Sequence, residues 1–268
     1  MSGKGIALIV IAVVLVVALL LILVLPNALL EFSIGRLVIG SGEVVADQHD
    51  VEGFTRVAVS NAIQVEITRS DEYSVTITGY ENLVERMDVG LAGQELTIRL
   101  QPGMYFRNNV RAIVTTPDLS GLTVSGASGA TVDGFASTGD FHLDVSGASR
   151  VEIDIEAGKT TAEISGASRL AGTLQAQELI LDVSGASQCE LTGSAGDTKL
   201  DISGASRIDL LQLGVQNVDA DISGASRVTI NMNSTLNVDL SGASQLQYTG
   251  DVDLGTVIIS SASTMNRV

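Results

Sequence analysis

The chain has no tryptophan, and aromatic residues make up only 3% of its 268 positions. Grooves that cleave carbohydrate usually stack sugar rings on aromatic side chains, so this scarcity counts against an enzyme of that kind. Cysteine occurs once, as Cys189, which excludes an internal disulfide. Histidine occurs only as His49 and His142, far apart and without the spacing of zinc ligands. Positive charge is also short. Fifteen lysines and arginines stand against 31 acidic residues, a formal net charge of −16. Such a chain repels phosphate backbones, so nucleic acid is excluded as a partner. There is no serine–histidine–acid motif and no phosphate-binding loop. No catalytic residue and no cofactor is expected. The sequon Asn233-Ser234-Thr235 is weak evidence of a glycan.

What is present falls into two parts. From Ile6 to Leu25 run 20 residues without a charge, "IALIVIAVVLVVALLLILVL". As a helix this run is roughly 30 Å long, the thickness of a bilayer core. It predicts an uncleaved transmembrane anchor within residues 1–25. A cleaved signal peptide is the alternative, although "LPNALL" offers no convincing cleavage site. No cysteine follows the run to carry a lipid. Lys4 and the amino group precede it, which favours a cytoplasmic N-terminus and an extracytoplasmic body, single-pass. Residues 26–43 read as a linker or a membrane-proximal strand.

The second part is a repeat. "DISGASR" stands at 201–207 and again at 221–227. Ser-Gly-Ala-Ser begins at Ser125, Ser146, Ser165, Ser184, Ser203, Ser223 and Ser241, and Ser-Ser-Ala-Ser begins at Ser260. The gaps are 21, 19, 19, 19, 20, 18 and 19 residues, a solenoid period. Aligned copies give apolar columns. One is Val124, Val145, Ile164, Val183, Ile202, Ile222, Leu240, Ile259; another is Ala130, Val151, Leu170, Cys189, Ile208, Val228, Leu246, Met265. Apolar and polar residues alternate within each copy, as in "RVEID", which is strand patterning. Strands that recur every 19 or so residues, with no helix-length segment between, predict a single-stranded parallel β-helix over 120–268. Its rungs lie about 4.8 Å apart. Ser-Gly-Ala-Ser is then a corner, where small residues tolerate unusual backbone angles beside the copy above. The sequence does not decide which of the four points inward.

Residues 44–119 lack the phrase but keep strand patterning, as in "FTRVAVS" and "YSVTITG". They read as leading, irregular coils and a cap of the same solenoid, or as a small separate β-domain. "YENLVERM" predicts one short helical turn.

The run "FTRVAVSNAIQVEITRSDEYSVTITGYENLVERMDVGLAGQELTIRL", then "TTPDLSGLTVSGAS", the stacked copies and "LQYTGDVDLGTVIISSAS" resemble the auto-transporter adhesin, head GIN domain family of bacteria and archaea. The resemblance covers roughly residues 50–268. It implies a right-handed β-helix on a secreted or membrane-anchored protein, and it brings no catalytic residues. The expected role is non-catalytic: an adhesion or structural module that binds a surface protein or glycan. An envelope scaffold that assembles end to end, as bactofilins use a β-helix, is the alternative; a glycan-active enzyme is a third.

One further column is acidic: Asp144, Glu163, Asp182, Asp201, Asp221 and Asp239. Across the corner stand Arg150, Arg169, Gln188, Arg207, Arg227 and Gln245. Like charges at this spacing repel by roughly 0.9 kcal/mol in water. The plain reading is a solvated ladder partly balanced by the basic column. The sharper one is calcium bridged between adjacent carboxylates, although calcium wants six or more oxygens. In the last rung the two columns change to Ile258 and Thr264, which predicts weak self-association, or docking of a partner strand, through residues 256–268.

Overall fold

The computed structural model describes residues 37–268. The anchor expected over residues 6–25, and the first part of the linker, lie outside them. Among the described residues no helix is long and apolar enough to cross a membrane. Ile39–Gln101 and Phe106–Val268 form one compact unit; among the described residues Leu37, Val38 and Pro102–Tyr105 belong to a second.

The first of these units is a β-solenoid of about eight turns. Its regular part follows from the alternation read in the sequence. Arg150–Ile164, Arg169–Val183 and Gln188–Ile202 are strands that bend around each turn, and they pair in parallel, residue for residue. Val151, Leu170, Cys189, Ile208, Val228 and Leu246 point inward as one column. All are buried, so each rung rests its aliphatic side chains on those above and below.

The corner resolves the question that the phrase itself left open. Its fourth serine points inward and is buried in each of the seven Ser-Gly-Ala-Ser copies, while Gly and Ala face solvent. An inward hydroxyl needs a partner. In four copies it finds one inside its own corner, as Ser149 Oγ donates to the Ser146 carbonyl at 2.8 Å and Ser206 Oγ to the Ser203 carbonyl at 2.9 Å; Ser226 Oγ donates instead to the Gly204 carbonyl of the rung before at 3.4 Å. The Ala N–H donates to the Gly carbonyl of the rung before, as from Ala205 to Gly185 at 2.7 Å. Gly204 has φ +76°, and a Cβ placed there would overlap the Gly185 carbonyl oxygen. Both conditions exclude a side chain.

The leading region does not stack in sequence order. Arg56–Ser60 and Gln64–Arg69 form one rung, on which Gly121–Val124 and Gly129–Ala136 lie in parallel. On its other side lie Glu95–Leu100 and Arg111–Thr116, also in parallel. The chain therefore makes the second rung first and then returns to build the outermost one. Antiparallel strands Met87–Ala92 and Ser74–Tyr80 take the far edges of that outermost rung. Val44–His49 adds to Ser74–Tyr80, again antiparallel. The helical turn expected near "YENLVERM" is Glu81–Val84, which buries Leu83 and Val84. Phe54 and Tyr73 meet edge to face beside the start of the solenoid, their ring centroids 5.1 Å apart.

Candidate functional site

The candidate site is an outer face of the solenoid. The strands Phe141–Val145, Val218–Ile222 and Thr235–Leu240, with the stretches 160–164, 179–183 and 198–202, lie side by side. Period two sends alternate side chains out. Asp144, Glu163, Asp182, Asp201, Asp221 and Asp239 stand on consecutive rungs in strict register, outside the fold. The ladder expected from sequence is thus one continuous stripe.

Its electrostatics follow from the stacking. Partial burial raises the carboxyl pKa of Asp182, and the neighbouring charges of Asp201 and Glu163 add to the effect. Burial, then Glu163, raises that of Asp144, where His142 pulls the other way. The expected balance across the corner is not what the side chains adopt. Arg169 turns along its own face, to Glu190 at 2.9 Å and Gln188 at 3.4 Å. Arg227 donates to Gln245 at 3.0 Å. Among the described residues no ion pair within 4.0 Å joins a ladder carboxylate to an arginine. Neither do three or more His, Cys, Asp or Glu side chains there gather in a way that would hold a metal ion. A straight ladder offers each interval two carboxylates, whereas calcium wants six or more oxygens.

Beside the ladder, on the same face, lies a polar cleft of about 440 Å³ lined by Glu178, Asp197, Lys199, Asn217, Asp219 and Asn237, among others. Asn217 Nδ2 donates to Asp197 Oδ1 at 2.8 Å and its Oδ1 accepts from the Thr235 N–H at 3.4 Å, so its amide is held in place. Lys159 pairs with Glu178 at 2.8 Å at one edge. The cleft presents hydrogen-bonding groups and one cation, Lys199, within an acidic surround. It offers fixed donors and acceptors to a polar ligand. Sequence reasoning missed the cleft. Its members stand two and four residues before the ladder positions, where the columns mix Lys, Asn, Asp and Thr and so carry no pattern.

The other residues singled out in the sequence lie apart. His142 is exposed two residues before Asp144. His49 lies in the leading cap with Nε2 3.4 Å from Asp47. Cys189 is buried in the core column, and burial pushes its thiol up to about 12. None of them adjoins another nucleophile or base to make a catalytic set.

Among the described residues the molecule is a parallel β-solenoid with a packed interior and a charged outer face. The chain belongs to the family described as "Putative auto-transporter adhesin, head GIN domain", whose model matches residues 53–251. No curated relative matches the chain by sequence. Solved structures share the fold. A "putative adhesin" from Parabacteroides merdae superposes with a TM-score of 0.80 at 17% identity, covering 87% of this chain and 99% of its own. A "putative adhesin" from Parabacteroides distasonis does so at 0.80 and 18%, covering 87% and 100%. A "putative lipid binding protein" from the same species does so at 0.78 and 14%, again covering 87% and 100%.

Proposed function

We propose that the chain is a non-catalytic adhesion module, held outside the cell by a single anchor at residues 6–25, which binds a surface protein or glycan through the face that carries the polar cleft. The observation that carries the reading is the cleft itself: fixed amides and carboxylates beside Lys199, spread over neighbouring rungs of a rigid sheet. Such a surface recognises hydroxyl-rich or amide-rich ligands by hydrogen bonds and needs no pocket closure. The family and the fold of its neighbours agree with a surface role. An end-to-end scaffold would need two open ends, whereas the outermost leading rung has its far edges taken by antiparallel strands.

The test is binding by the full chain in detergent to a glycan array and to immobilised cell-surface proteins. Asp219→Ala and Asn237→Ala should each weaken the bound signal by about tenfold, because each removes a desolvated polar contact. Ligand binding that ignores both substitutions would place the adhesive surface elsewhere. Turnover of any glycan would sink the non-catalytic reading.

A further inference from the structure

One corner of the leading region holds large apolar side chains out in solvent. Phe54, Phe135 and Phe141 are buried, whereas Phe106 is 52% exposed. Ile39 and Val44 are 53% and 58% exposed. Hydrogen bonds and close packing gather the three. The Gly40 N–H donates to the Phe106 carbonyl at 2.9 Å, which sets Ile39 beside Phe106. Val44 stands directly opposite Tyr80 in their antiparallel pair. A Cβ placed on Gly40 would lie 2.6 Å from the Tyr80 ring, so that ring rests against the backbone between Ile39 and Val44. The Arg107 guanidinium lies over the same ring, 5.7 Å from its centroid, and donates to the Tyr80 hydroxyl at 3.4 Å. Asn82 clips the segment in place: its Oδ1 accepts from the Ser41 N–H at 2.9 Å and its Nδ2 donates to the Ile39 carbonyl at 2.8 Å. The exposed apolar groups are thus fixed on the fold and do not belong to a loose loop.

We infer that this corner docks on a lipid surface: the outer leaflet of the bilayer that the anchor at residues 6–25 would enter. The inference rests on the anchor reading above. The sequence itself points to the occupant. Only the thirteen residues 26–38 separate the uncharged run ending at Leu25 from Ile39. Fully extended, they reach at most about 45 Å. A patch tethered so closely meets the bilayer at an effective concentration of the order of millimolar, so few apolar contacts suffice to hold it there. The side chains suit that boundary. Phe106, Ile39 and Val44 supply apolar tips, while Tyr80 and Arg107 carry an apolar body and a polar end, the combination that settles at headgroup level. Charge narrows the lipid. Glu43 and Glu81 border the corner, the Glu81 N–H donating to the Glu43 carbonyl, and the chain as a whole carries −16. Anionic headgroups would be repelled, so the lipid is zwitterionic.

The chain has no tryptophan, so Phe106→Trp installs a single fluorescent reporter. The full chain with this substitution is reconstituted into phosphatidylcholine vesicles. Its emission should lie to the blue of a tryptophan in water. Lipids brominated roughly 5–10 Å below the headgroups should quench it by about half. Leu211→Trp, at an exposed position several rungs away, should stay unquenched. Adding Ile39→Asp and Val44→Asp to Phe106→Trp should restore the emission seen in water and leave the melting temperature unchanged, because both side chains are exposed. Ile39→Trp gives a second reporter should position 106 prove sensitive to change. An alkaline wash separates this inference from the reading beneath it. A chain that washes off the vesicles has no anchor, which overturns both. A chain that resists the wash but whose tryptophan is unquenched keeps the anchor and overturns the docking alone. So does quenching that ignores the two aspartates, or that is equal at position 211.

Discussion

At the scale of single residues, the corner glycines separate two causes that usually travel together. Gly204 and Gly126 have nearly the same φ, +76° and +77°. A Cβ at Gly204 would overlap the Gly185 carbonyl, whereas at Gly126 the nearest atom is the Asn61 nitrogen at 3.2 Å. Gly204→Ala should therefore destabilise by about 2–4 kcal/mol, from backbone strain plus collision. Gly126→Ala should cost about 1–2 kcal/mol, mostly from strain, with a small shift of the Asn61 backbone. Thermal melts of the two variants check the order, and equal losses would mean that the corner strain, not the stacking distance, selects glycine. Cys189 gives a second case. Burial raises its thiol from 9.0 to about 12, so the folded state favours the neutral form. That contribution is intact below pH 9 and is lost as the pH rises from about 9 to about 12. A thiol reagent should label Cys189 only as fast as the protein opens. Cys189→Asp, which buries an unpaired carboxylate, should cost about 3–5 kcal/mol.

At the scale of elements, the leading rung shows the same corner in different letters. Val124↔Val59 pairing continues into the turn, which sets Ser60-Asn61-Ala62-Ile63 against Ser125-Gly126-Ala127-Ser128. Asn61 holds φ +68°, the left-handed region that asparagine tolerates better than other side chains. Its Nδ2 also donates to the Leu100 carbonyl of the outermost rung at 2.7 Å. Ile63 fills the inward position with an aliphatic group where later copies use serine. Asn61→Ala should cost about 1–2 kcal/mol, from the lost hydrogen bond and the strained φ. Asn61→Gly should recover part of that loss. If Asn61→Ala melts like the native chain, the equivalence of the two corners has no energetic content.

At the scale of the whole molecule, stability is a sum over neighbouring rungs. The interior rungs are covered on both sides, and the last described rung on one. Amide exchange should be slowest across Arg150–Ile202 and fastest within the exposed strand Asp253–Ile259. The acidic ladder works against the stack. The raised carboxyl pKa values of Asp144 and Asp182 mean that the fold prefers their protonated forms. The penalty is present at neutral pH and fades as the pH falls through the raised values towards the ordinary 3.8. Asp182→Asn should stabilise the fold slightly at pH 7, by less than about 0.5 kcal/mol at so exposed a site, and not at pH 3, with melting temperature as the readout. Calcium at matched ionic strength should raise it no more than sodium does. A calcium-specific rise, abolished by Asp182→Asn with Asp201→Asn, would establish the ladder as an ion site.

The sequence by itself determined the rung. Its period, the inward column through Cys189 and the acidic ladder are all spelled out, because each repeats, and a repeat that must stack forces equivalent residues into register. It also announced the corner of the regular rungs, since the same small residues recur in every Ser-Gly-Ala-Ser copy. Three things were decided by tertiary structure. The inward turn of the fourth serine depends on how the corner closes, and a corner breaks the alternation from which direction is read. The displaced order of the leading rungs depends on antiparallel strands that cover an edge, and strand patterning says nothing about which edge a strand will take. The polar cleft joins side chains from neighbouring rungs whose columns share no residue type. Sequence periodicity carries what is the same in every turn. The cap and the cleft are places where the turns differ, and only packing sets them.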